Sequence, residues 1–212
     1  VIPQLSADVA ERPVRDRAAT EIRIRAAAKA VLAEEGFKAF GINAVARRAG
    51  CDKQLIYRYF GGLSGLIESV GGDLGSWVRE HIPEDSGGMF LLTYGDLMER
   101  LALLFLDALR ADPLVRQIAA WELAEESDEV RRLSEARSKA LGAWIDRMRG
   151  GLQPPKGMDA AVTNAILLAS IQQLVLASVT SGRFAGVSLK TEKDWDKVRT
   201  ALKRVVHGVY GS

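Results

Sequence analysis

The 212-residue chain is 48% apolar and 26% charged, with a net charge of +2, which is ordinary globular composition and excludes fibrous and wholly disordered classes. One cysteine, Cys51, excludes a disulfide framework and a Cys-rich zinc module, and any imidazole-based metal or nucleophile system would have to use His81 or His207, the two histidines. The charge is unevenly spread: residues 17–62 hold nine basic side chains (Arg17, Arg23, Arg25, Lys29, Lys38, Arg47, Arg48, Lys53, Arg58) against four acidic ones (Glu21, Glu34, Glu35, Asp52), so this segment carries +5 and the remainder −3. Such a localised excess points to a nucleic-acid contact at the N-terminal end, or to a merely solvated basic face.

Residues 1–16, with Pro3 and Pro13, lack periodicity and read as an N-terminal extension. From Arg17 onward the pattern is helical, and no run alternates with the period of a strand. The first helix is expected over about 17–35, with Ile24, Ala27, Ala28, Val31 and Leu32 on one face and Gly36 as its stop. Ile42, Val45, Ala46 and Ala49 predict a short second helix ended by Gly50. Asp52 is placed to cap a third, whose inward face is Ile56, Tyr59 and Phe60. Two short helices around Gly50-Cys51-Asp52 form a helix–turn–helix signature.

A fourth helix, about 63–80, carries Leu63, Leu66, Ile67, Val70, Leu74 and Trp77. Gly65, Gly71, Gly72 and Gly75 interrupt it, and each interior glycine costs about 1 kcal/mol relative to alanine, so a soft or closely packed helix is expected. Residues 83–90 read as a loop. Five more helices follow: about 93–111, one opened by Pro113, one opened by Asp128, a long one at about 159–181, and a last one from Thr191 to about Tyr210 with a capping-box pattern Thr191…Asp194. The expected fold is all-α with about nine helices, divided into an extension (1–16), a helix–turn–helix unit (17–62) and a larger helical domain (63–212).

Residues 160–182 hold no charge and are long enough to span a membrane. Their polar groups lie on several faces and no aromatic belt flanks them, so the middle of a helical assembly is the better reading. In the last helix Trp195, Val198, Leu202, Val205 and Val209 are spaced 3, 4, 3, 4, a seam that either completes an intrachain bundle or meets a second copy.

The segment from Arg23 to about Leu66 resembles the TetR family of bacterial transcriptional regulators, most specifically through Ala49-Gly50-x-x-Lys53-x-x-Ile56-Tyr57-Arg58-Tyr59-Phe60. The rest matches in length and helical character. The resemblance implies a three-helix DNA-binding domain, a ligand-binding and dimerisation domain, a homodimer through the last two helices, and release from operator DNA by a small molecule. That sets a cytoplasmic location and double-stranded DNA, a second copy and an effector as partners. Three positions depart from the family pattern. Gly41 and Gly62 replace common hydroxyl caps. Leu63 replaces a common lysine, and Leu55 a small hydroxyl residue.

The expected DNA contacts are Lys53, Gln54, Leu55, Tyr57 and Arg58 on the third helix, with Asn43, Arg47 and, as a core residue with a free hydroxyl, Tyr59. Gln54 suits adenine, Lys53 guanine or phosphate, and Leu55 a thymine methyl. The resemblance makes Tyr57 a phosphate contact. Cys51 reads as a packing residue. Candidate effector-pocket residues are Trp77, Met98, Phe105, Trp121, Trp144, Met148, Leu168 and Gln172, with Gln173 an alternative to Gln172. Candidate dimer residues are Ile171, Val175, Trp195, Val198, Leu202, Val205 and Val209. No nucleophile, nucleotide or metal motif is present, so neither enzyme activity nor a cofactor or metal is expected. A helical interaction module without ligand response is the alternative reading.

Overall fold

The computed structural model describes the backbone of residues 8–81 and 93–211 and the side chains of 17–74, 77 and 93–211. The expected loop at 83–90 lies outside the described residues. Helix α1 spans Asp8–Glu35, α2 Ile42–Ala49, α3 Lys53–Phe60, α4 Leu63–His81, α5 Tyr94–Ala111, α6 Pro113–Ala124, α7 Asp128–Arg149, α8 Ala160–Thr180 and α9 Glu192–Tyr210. The predicted extension is thus helical from Asp8, as a continuation of α1, while residues 1–7 lie outside the described residues.

The first three helices close around Ile24, Ala28, Leu32, Val45 and Ile56, each 0% exposed. Gly50 ends α2 in the left-handed region (φ 60°), where its N–H reaches the carbonyls of Ala46 and Arg47. Asp52 then starts α3 by accepting from the Gln54 N–H at 2.7 Å. Gly41, by contrast, gives α2 no side-chain cap, as the departure from the family pattern implied.

Helix α4 is shared between two cores. Its Leu66, Ile67 and Val70 are buried with α1 and α3, and the same stripe continues through Leu74 and Trp77 among the later helices. Helix α4 is continuous from Leu63 to His81 through its glycines. Gly71 allows close approach: a β-carbon there would lie 2.7 Å from the Leu133 carbonyl oxygen and 2.7 Å from the Ala136 Cβ, both on α7.

The larger domain packs α5 centrally against α8 and α9. Capping boxes open α5 (Thr93 with Asp96) and α9 (Thr191 with Asp194). At the second, donors from the Ser188 hydroxyl, then Thr191 and Lys190, hold the Asp194 carboxyl down to about 2. Helix α8 is long and apolar enough to cross a membrane, with a mean hydropathy of 1.6. It packs Leu167, Ile171 and Val175 inward, and its Thr163, Ser170, Ser178 and Ser181 hydroxyls donate to carbonyls of its own helix or its cap. One strand pair was not foreseen: Arg183–Phe184 pairs antiparallel with Val187–Ser188 in a hairpin between α8 and α9. Two-residue strands are too short to show alternation.

The α4–α7 contact gives opposite expectations for adjacent glycines. Gly71→Ala should cost about 1–3 kcal/mol by overpacking against α7. Gly72→Ala, with nothing within 4 Å of its β-carbon, should gain up to about 1 kcal/mol of helix propensity. Chemical denaturation of the two variants measures both signs.

Candidate nucleic-acid interface and effector cavity

Helix α3 presents Lys53, Gln54, Tyr57 and Arg58 to solvent, with Tyr57 57% exposed. Asn43, Arg47, Lys53 and Tyr57 line one cleft between α2, α3 and the start of α4, together with Gly41 and Leu63. Four predicted DNA contacts are therefore neighbours on one surface, while Gln54 and Arg58 lie beside it on the same helix. Leu55 is half-buried against the core, so only part of its side chain faces outward. Tyr59 is also half-buried, with the Arg17 and Arg58 guanidinium carbons 5.2 and 5.8 Å from its ring centre.

Arg48 points elsewhere. It makes two hydrogen bonds to the Glu34 carboxylate across α2 and α1, which lower the Glu34 carboxyl and raise the guanidinium. Cys51 is half-buried, and burial pushes its thiol up, so it packs as a thiol rather than a thiolate.

A cavity of about 510 Å³ lies between α4, α5, α6, α7 and α8. Of the candidate residues, Trp77, Phe105, Leu168, Gln172 and Gln173 line it, beside Leu74, Leu109 and Arg137. Met98 and Trp144 do not reach it. They border a void of about 20 Å³ that shares Phe105, Leu141 and Leu168 with the cavity wall. Trp121 also lies elsewhere: its indole N–H donates to the Ala33 carbonyl (3.2 Å) and its ring lies against Gly36, joining α6 to the end of α1. Met148 packs against the core away from the cavity. Spacing placed these aromatic and Met side chains inward correctly but could not say which of several inward faces each would meet.

Trp77 is fixed in the cavity wall by a bond that sequence reasoning missed. Its indole N–H donates to Asp112 at 2.8 Å. The same carboxylate caps α6 by accepting from Leu114 and Val115. An Asp-Pro at a helix start announces the cap but not its tryptophan partner.

The predicted dimer residues divide. Ile171, Val175, Trp195 and Leu202 are 1%, 0%, 3% and 9% exposed in the single chain, and Ile171 and Leu202 form the floor of an apolar groove of about 640 Å³ that Val198, Val205 and Val209 also line. The reason for this burial is that α5 takes one edge of the α9 seam, and Arg110 of α5 lies 4.4 Å over the Trp195 ring. Val198 is half-buried, while Val205 and Val209, on the other edge, are 54% and 43% exposed. Beside them α8 exposes Val162 and Ile166, at 55% and 66%. These α8 residues were not singled out because a helix apolar on all sides gives periodicity no face to mark.

The comparisons agree with this architecture. Residues 24–70 match the family model described as bacterial regulatory proteins, tetR family. No curated protein matches the chain. Among solved structures, a TetR-family regulator from Rhodococcus sp. aligns with TM-score 0.65 and 18% identity over 92% of this chain and 100% of its own. The transcriptional regulator FadR from Bacillus subtilis, in complex with stearoyl-CoA, aligns with TM-score 0.63 and 19% identity over 90% and 98%. Salmonella enterica GusR aligns with TM-score 0.62 and 18% identity over 99% and 100%.

The Asp112 arrangement is testable. Asp112→Ala removes a helix cap and leaves a buried indole N–H without its acceptor, and should cost roughly 2–4 kcal/mol. Asp112→Asn, which keeps an acceptor, should cost less. Urea denaturation orders the two.

Proposed function

We propose that this chain, whose residues 24–70 match the tetR family model within the fold of TetR-family regulators, is a dimeric repressor released from operator DNA when a small, largely apolar molecule fills the α4–α8 cavity. It works where the chromosome is, in the cytoplasm, and no catalytic step enters this reading.

The observation that carries it is the double duty of α4. Its first half is buried under the recognition helix, and its second half contributes Leu74 and Trp77 to the cavity wall. A molecule that occupies the cavity touches the helix on which the DNA-reading unit rests. The similar FadR structure is a complex with stearoyl-CoA, which fits ligand binding by this fold. A coupling of about 1–3 kcal/mol would change operator affinity about 5- to 150-fold.

Dimerisation follows from the open apolar face of α8 and α9. Ile166, Val205 and Val209 line one apolar groove with Ile171, Val198 and Leu202, and a second copy buries it across a two-fold axis. That pairing sets two recognition helices at the spacing that successive major grooves require, about 34–36 Å.

Two measurements test the proposal. In anisotropy titrations with duplex DNA from upstream of its own gene, affinity should fall steeply with salt. Lys53→Ala and Tyr57→Phe should each weaken binding to all sequences, with Lys53→Ala reducing the salt slope by about 1. Arg48→Ala, whose guanidinium is engaged by Glu34, should bind nearly as wild type. Full affinity in Lys53→Ala/Tyr57→Phe would refute the assigned face. In light scattering, the wild type should have twice the 23.1 kDa chain mass. Ile166→Asp/Val205→Asp should run as one subunit with its helicity kept, whereas Leu202→Asp should unfold the chain.

A further inference from the structure

One charged side chain stands in the cavity wall without a well-made partner. Arg137, on α7, lines the cavity beside Ser138 and Leu141. Its counterion is Glu122 of α6, at 3.1 Å, with a side chain only 6% exposed. The pair is close without being aligned: neither Glu122 oxygen accepts a hydrogen bond. Burial drives the Glu122 carboxyl up against the pull of Arg137. A buried ion pair holds firmly when the guanidinium fork engages both oxygens, and this one does not. Glu122 does not itself line the cavity.

A second observation has the same sense. Trp144, 2% exposed, borders the adjoining small void, and its indole N–H has no acceptor. The under-satisfied groups that reach the cavity and its side void are therefore donors. The other walls, from Leu74 and Trp77 to Leu168, are mostly apolar, with the neutral Gln172 and Gln173 amides and the Ser138 hydroxyl as the remaining polar groups. Such a site recognises a molecule that brings an acceptor, preferably a charged one, on an apolar body.

We propose that the effector is an amphipathic carboxylic acid whose carboxylate takes the Arg137 guanidinium from Glu122 while its apolar body lies between α4 and α8. This rests on the reading of the cavity as the effector site and adds the chemical class of its occupant. A cationic effector would face Arg137 at close range and is disfavoured, and a neutral one would leave the guanidinium poorly paired.

The test uses the full chain and three probes of equal length, decanoate, decan-1-ol and decylamine, each below its micellar concentration at neutral pH. Binding is read by isothermal titration calorimetry, with the intrinsic fluorescence of the four tryptophans as a second signal. Decanoate should bind about 10- to 100-fold tighter than decan-1-ol, the range for a charge-assisted hydrogen bond. Arg137→Gln should erase that preference while leaving decan-1-ol affinity nearly unchanged. Arg137→Lys should keep most of it, and it serves as the check if Arg137→Gln fails to fold. Glu122→Gln, which removes the competing carboxylate, should tighten decanoate binding. If decan-1-ol or decylamine binds as tightly as decanoate, or if Arg137→Gln or Arg137→Lys gives the opposite result, the proposal is overturned and the cavity remains an effector site. If none of the three probes binds, the proposal and the effector reading of the cavity both fall.

Discussion

Close contact between α4 and α7 is the constraint on which the rest of the molecule depends. At Gly71 the helices approach until the α4 backbone meets the Leu133 carbonyl and the Ala136 methyl of α7. Bulkier side chains at either site would push α4 outward and open the larger core. With α4 seated there, its apolar stripe passes from one core to the other without a break. Leu66, Ile67 and Val70 hold the recognition helix, and Leu74 and Trp77 close the cavity. The two functions share a helix because a packed stripe cannot shift at one end without repacking at the other.

Polar groups then fix what packing leaves adjustable. Asp112 holds Trp77 to the start of α6 while capping that helix, so the cavity wall and the helix start move as a unit. At the far end of the domain, Asn164 donates to the Tyr94 hydroxyl and accepts from the Tyr210 hydroxyl, tying α8 to α5 and α9. Burial pushes the Tyr210 hydroxyl up to about 12, so it keeps its proton, and this bond, throughout the physiological range. These contacts join residues 46 to 70 positions apart in the chain and involve ordinary residue types.

That distinction explains what could be read from the sequence. Local features were legible: the helix–turn–helix, the Asp52 cap, the Thr191…Asp194 box and the inward faces of α1 to α5 follow from spacing and short-range hydrogen bonds. Long-range choices were not. Trp121 and Trp77 are both inward aromatic residues on amphipathic helices, yet one meets Gly36 and the other the cavity. The α9 seam was visible, but which edge stays inside the chain was decided by α5. Arg137 carried no signal, since a charged residue on a polar-rich helix gives no sign of facing a cavity. The glycines of α4 suggested softness from propensity, but two have steric grounds: a β-carbon at Gly65 would collide with the Phe60 carbonyl oxygen, and the partner of Gly71 lies more than 60 positions away.

The contact of Trp121 with Gly36 and the Ala33 carbonyl has a geometric consequence. It attaches the three-helix unit to the larger domain at a second place, apart from its junction with α4. A body held at one point can turn in any direction, but a body held at two has one easy rotation, about the line that joins them. With α1 on α6 and both α1 and α3 on α4, the easiest rotation of the three-helix unit is about the line that joins these two contacts. Different disturbances of the larger domain would then differ chiefly in how far that unit turns.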